Sequence, residues 1–114
     1  MHQEVDLIAN RDGTETLQSF AAAFFDAFGI VAHEERESDN YTGGAYFIGA
    51  GEGLEINISI SDDPRHEAMP YWIEVSTTNT SALEKRVREQ LLPRGFHVAR
   101  VVNFGEPSEY CERY

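Results

Sequence analysis

The chain has 114 residues, 41% of them hydrophobic, and sets 20 Asp and Glu against 9 Lys and Arg for a formal charge of -11. That length fits one domain, since separate cores need roughly 50 to 100 residues each, and the apolar share suits a packed interior and excludes a disordered acidic tail. A surplus of this sign repels nucleic acid and phospholipid over most of a surface and steers encounter with basic macromolecules.

The opening MHQEVDLIANRDG lacks a basic region and an apolar run, and no later segment approaches the roughly 20 apolar residues of a membrane span. Neither export nor insertion is expected, and the cytoplasm is the expected compartment. Val5 to Ala9 reads as a short optional strand. Asp12 and Glu15 resemble a capping box ahead of Leu17, Phe20, Ala21, Phe24 and Phe28, whose three- and four-residue steps predict a helix over 13–28, ended by Gly29. The stretch His33 to Asn40 has no period and reads as a solvated acidic loop.

From Tyr41 the period changes to two. Ala45 to Ile48 predicts a strand, and Gly49-Ala50-Gly51-Glu52-Gly53 the turn of a hairpin. Leu54, Ile56, Ile58 and Ile60 alternate with Glu55, Asn57, Ser59 and Ser61, the clearest strand pattern in the chain. Asp62-Asp63-Pro64 stops it, and Tyr71 to Thr77 supplies a third strand. Ser81 with Glu84 predicts the cap of a second helix over 81–92, its outer face carrying Lys85, Arg86 and Arg88. Phe96 to Phe104 predicts a fourth strand, and 106–114 a loose tail. The expected fold is α+β in one domain, 1–114: an antiparallel sheet of about four strands with two helices packed on one face, in the order α-β-β-β-α-β.

Charge is unevenly placed along these elements. Residues 1–78 hold fifteen acids against three Arg, residues 79–105 two Glu against five Lys and Arg, and the last nine residues three Glu against one Arg. The acidic surplus therefore precedes a basic second helix. Intramolecular pairing is the simpler use for that helix, because so few cations on a chain of this sign bind phosphate poorly.

Reactive signatures are sparse. His2, His33, His66 and His97 share no ligand spacing with one another or with the single Cys111, and Asp62, Asp63 and Glu67 lack the spaced pattern of an EF-hand, so no metal or other cofactor is expected. Cys111 has no partner for an internal disulfide. No nucleophile elbow is present, and Gly49 to Gly53 has an acid at its centre where a phosphate cradle needs a cation. Glu55 and Glu74 form a conceivable carboxylate pair across neighbouring strands, but a small open sheet offers little cleft. The chain is read as no enzyme.

The sheet surface is more suggestive. If Ile73 and Val75 face the core beside Ile56 and Ile58, then Trp72, Glu74 and Ser76 share the opposite face with Glu55, Asn57 and Ser59. A tryptophan ringed by carboxylates has the composition of a binding anchor with a charged rim. The competing reading packs Trp72 under the C-terminal tail or the first helix. The candidate partner-binding set is Glu34, Glu35, Glu37 and Asp39 in the first acidic loop, Asp62, Asp63 and Glu67 in the second, and Glu55, Trp72 and Glu74 on the sheet.

In its length, charge and lack of catalytic signatures, and in the stretches Tyr41-Thr42-Gly43-Gly44-Ala45-Tyr46-Phe47 and Pro70-Tyr71-Trp72-Ile73-Glu74-Val75, the chain resembles the small acidic immunity proteins that bacteria make against contact-dependent and polymorphic toxins. The resemblance implies a cytoplasmic protein that binds a basic toxin domain, often a nuclease, and covers its active site or substrate groove, with carboxylates standing in for substrate phosphates. It assigns no role to individual residues. Two other readings remain open: a small-molecule binding or enzymatic domain with a pocket between sheet and helices, and a regulatory module or nucleic-acid mimic.

Overall fold

Alternation starts at the N-terminus, where Val5, Leu7 and Ala9 are buried and Glu4 is exposed, as the two-residue period of a strand requires. The computed structural model describes residues 2–13 and 16–114. Its elements run β1 (Gln3–Arg11), α1 (Leu17–Ala27), β2 (His33–Glu37), β3 (Ala45–Gly51), β4 (Leu54–Ile60), β5 (Tyr71–Thr77), α2 (Thr80–Arg86), β6 (Phe96–Val102) and β7 (Tyr110–Arg113). The seven strands form one antiparallel sheet in the order β2-β3-β4-β5-β1-β6-β7. β1 is thus an interior strand between β5 and β6, with Asp6 opposite Glu74 on β5 and Val101 on β6.

The main core lies where α1 and α2 meet one sheet face. Val5 and Leu7 of β1, Ile56 and Ile58 of β4, and Ile73 and Val75 of β5 join Phe20, Phe24, Phe25 and Phe28 and, from α2 and the turn after it, Leu83 and Val87. Phe20 stacks on Tyr71 with ring centroids 4.2 Å apart, and Phe25 stacks on His33 at 4.6 Å. An 11-residue helix is too short to persist alone in water; packing decides it, each buried phenyl ring contributing about 1.5–3 kcal/mol. Gly49 is what lets Phe25 lie so close to β3, because a Cβ there would overlap the ring, 2.9 Å from Cζ.

Several expectations need correction. Among the described residues the sheet has seven strands instead of about four, and strands outweigh the two short helices, so the order α-β-β-β-α-β does not describe the fold. The segment read as an acidic loop is edge strand β2, and the end of the segment read as a loose tail is edge strand β7. All residues of both strands are exposed. A strand with no buried face carries no apolar period, so neither was visible as a strand although each pairs with its neighbour in the chain.

The local signals also shift. α1 is capped by Thr16, whose Oγ1 accepts the Ser19 N–H at 3.1 Å while Ser19 Oγ accepts the Thr16 N–H at 3.3 Å; the Asp12 and Glu15 pairing involves a residue outside those described. The glycine turn shrinks to Glu52 and Gly53, both left-handed at φ 55° and 76°, the two-residue geometry that suits a twisted hairpin. Asn79, whose side chain accepts from the Ala82 N–H at 3.0 Å, replaces Ser81 as the cap of α2. α2 then continues as a π-helical turn, Val87–Leu91, and a 3-10 turn, Leu92–Arg94, ended by Gly95 at φ 86°. β6 stops at Val102, before left-handed Asn103 at φ 58°.

Candidate binding face of the sheet

On the face away from the helices, alternation projects Glu4 and Asp6 from β1, Glu55 and Asn57 from β4, and Trp72, Glu74 and Ser76 from β5. The register sets Glu55 opposite Ser76, Asn57 opposite Glu74 and Ser59 opposite Trp72, while Glu4 lies opposite Ser76 and Asp6 opposite Glu74. β3 adds Ile48 beside Asn57, and β2 adds Glu34 beside Ile48. Glu4, Glu34, Ile48, Glu55, Asn57, Glu74 and Ser76 line an open groove of about 670 Å³, with Asp6 and Trp72 farther along the same face.

Three of the four carboxylates that line this groove lack internal neutralisation. Among the described residues Glu4, Glu55 and Glu74 make no ion pair; Glu34 pairs with Arg36 at 2.8 Å, both well exposed. Asp6, half-buried at the groove's edge, shows the strain of crowding. Burial first, then the charges of Glu74 and Glu4, push its carboxyl above the usual range, and Arg100 offsets only part of this.

The predicted residues do not form one surface. Glu34, Glu55 and Glu74 come together in the groove, and Trp72 lies on the same face one step along β5 from Glu74. Glu35 and Glu37 alternate onto the helix side of β2, where Glu35 accepts from Gln18 Nε2 at 3.1 Å. Asp39 lies in the connection from β2 to β3. Asp62, Asp63 and Glu67 lie in the connection from β4 to β5, and there Asp63 is already taken: Arg65 donates from Nη2 at 2.6 Å and from its backbone N–H at 2.9 Å. These bonds hold the Asp63 carboxyl down to about 2.

Trp72 is packed against β1, β6 and two connections, where the competing reading had the C-terminal tail or the first helix. It faces the polar side, as parity predicts, yet it is half-buried against Ile8, Met69, Ala99 and Val101, with the Phe104 ring 4.9 Å away. Sequence reasoning missed Glu4 and Asp6. Their signal was the alternation with Val5 and Leu7, obscured because Ile8 is buried on the opposite face from its neighbours and makes Leu7-Ile8-Ala9 look continuous.

The basic helix is used internally. Arg86 donates to the Phe28 carbonyl at 2.6 Å, closing the C-terminus of α1, and lies over the Phe28 ring; Arg94 pairs with Asp26 at 3.6 Å and Arg88 lies over Tyr114. A second concavity of about 460 Å³, beside the start of α1, is lined by Thr16, Gln18, Thr42, Ile60 and Tyr71, with no carboxylate or histidine among its described lining residues. Glu55 and Glu74 are diagonal neighbours on an open face. Among the described residues no helix is long and apolar enough to cross a membrane. Compared with protein-family profiles, with curated proteins and with solved structures, the chain matches none.

Proposed function

We propose that the chain is a stoichiometric inhibitor of the immunity type, which receives a basic toxin domain, such as a nuclease, on the acidic face of its sheet. The observation that carries the reading is the convergence of Glu4, Glu55 and Glu74, from three strands and with Asp6 beside Glu74, on one open groove, none of the three in an ion pair among the described residues. Unpaired carboxylates at close quarters cost the free chain repulsion, which a partner's Lys and Arg relieve on binding. Such a surface accelerates encounter and confers specificity more than raw affinity. The reaction compartment in this reading is the cytoplasm of the producing cell, where inhibition is occlusion of the toxin's active site or substrate groove.

The test compares the two faces. A partner captured from the producing cells and identified by mass spectrometry is offered the wild type, the pair Glu55→Lys with Glu74→Lys, and the pair Glu35→Lys with Glu37→Lys. The groove reversal is expected to slow association about 10- to 100-fold at low salt, with much less effect at high salt. The helix-side reversal, with the same change in net charge, is expected to slow it far less. Equal effects from both pairs would reduce the reading to diffuse attraction, and no effect from either would refute it.

A further inference from the structure

Beyond the groove, the same sheet face carries a small apolar cluster, Ile8, Met69, Ala99 and Val101, with Trp72 packed against it. Two connections meet over it. The β4–β5 connection brings Met69, and the β6–β7 connection brings Phe104 onto Trp72. A single carboxylate ties them together. Glu109 Oε1 accepts the Gly105 N–H of its own connection at 3.0 Å, while its Oε2 meets Arg65 Nη1 of the other at 3.0 Å.

The rest of the cover is thin. Phe104 is 56% exposed and the Arg65 side chain 61%, although the Glu109 side chain is only 10% exposed. The β6–β7 connection turns on left-handed Asn103 and Gly105 and bonds to itself, Asn103 Nδ2 donating to Ser108 Oγ at 3.2 Å and the Glu109 N–H to the Glu106 carbonyl at 3.0 Å. It is therefore a preformed unit held to the sheet by few contacts, the kind of segment that opens at far less cost than a core strand.

We infer that the two connections form a latch over Trp72, closed by the Glu109–Arg65 bridge and the Phe104 ring, whose opening adds Trp72 to the acidic face as an apolar anchor. An occupant matching both halves is a basic protein segment bearing a large apolar side chain, since the opened cluster adjoins Asp6 and Glu74 along the same face. This purpose rests on the binding reading above. The latch itself is a property of the free chain and is tested there.

Trp72 is the single tryptophan of the chain, so its emission reports the latch directly. Amide exchange read by mass spectrometry and acrylamide quenching of Trp72 are compared for the wild type, Glu109→Gln and Arg65→Gln, each at low and high sodium chloride. The diagnostic effects are the crossed ones. Glu109→Gln is expected to accelerate exchange in 62–69, and Arg65→Gln in 103–109, by about two- to five-fold, the scale of a partly exposed ion pair. Trp72 quenching rises in both variants, while exchange in β4 and α1 stays unchanged. High salt produces the same changes in the wild type, which keeps the test sound if a variant folds poorly. Acceleration confined to the substituted segment, or Trp72 quenching indifferent to both variants and to salt, overturns the latch. Neither result depends on a partner: a failed latch leaves the face-reversal comparison standing, and a working latch survives its failure.

Discussion

Neighbouring residues of β5 face opposite ways: Ile73 is fully buried between α1 and the sheet, while Glu74 is exposed beside Asp6 and Asn57. On one side of the sheet the favourable term is apolar area removed from water, which is large and is not screened by salt as exposed charges are. On the other, away from the small apolar cluster around Ile8, side chains of like charge are held together by the stability of the first. The helix side can therefore hold the acidic side in a conformation that its own electrostatics oppose. A one-residue slip in register would exchange the two, so the buried face fixes the positions of Glu4, Glu55 and Glu74 in the groove.

The largest expected effect probes this division directly. Ile73→Ala should destabilise the fold by about 2–5 kcal/mol through lost burial and a residual cavity, read as a lowered urea midpoint. Glu74→Ala, one residue along, should change the midpoint little or raise it. A comparable loss from both would mean that the outer face also holds the fold together.

An intermediate effect is expected where the helix reaches the sheet. Gly49→Ala should cost about 1–3 kcal/mol, because the added methyl must displace the Phe25 ring from a packed site; calorimetry is the measurement. If it is neutral, the contact between α1 and β3 is looser than the stacked Phe25 and His33 rings indicate.

The smallest effect has the opposite sign. The Asp6 carboxyl is raised in the folded chain above its ordinary value of 3.8, so folding binds more protons than the unfolded state in the window above 3.8. Its ionisation therefore opposes folding increasingly as pH rises through the folded value, and the penalty vanishes below 3.8. Asp6→Asn should give a slightly higher melting temperature than the wild type at pH 7, the difference closing as pH falls toward 3.8. A wild type that stays ahead at pH 7 would mean that Asp6 is stabilised by a contact that Asn lacks.

Much of the helix side was legible because it is periodic. The Leu17 to Phe28 stripe, the alternation of β4 and the parity of β5 all express burial on one side, and the hairpin before β4 follows from its glycines. The groove was half legible. Glu55, Glu74 and Trp72 could be assigned to one face from β4 and β5 alone, but Glu4 and Asp6 required β1 to lie beside β5, a pairing of residues some 70 positions apart. The second acidic loop misled because Arg65, within the same turn, neutralises Asp63.

By itself the sequence determined the charge, the amphipathic first helix and the inward face of its best strands, since each depends on residues within a few positions of one another. Only the tertiary structure decided that β1 lies between β5 and β6, that His33–Glu37 and Tyr110–Arg113 are edge strands, which acids share a groove, and that Glu109 reaches Arg65. Strand order and ion pairs between connections join residues far apart in the chain, and no local period records them. An edge strand exposed on both faces leaves no hydrophobic trace at all.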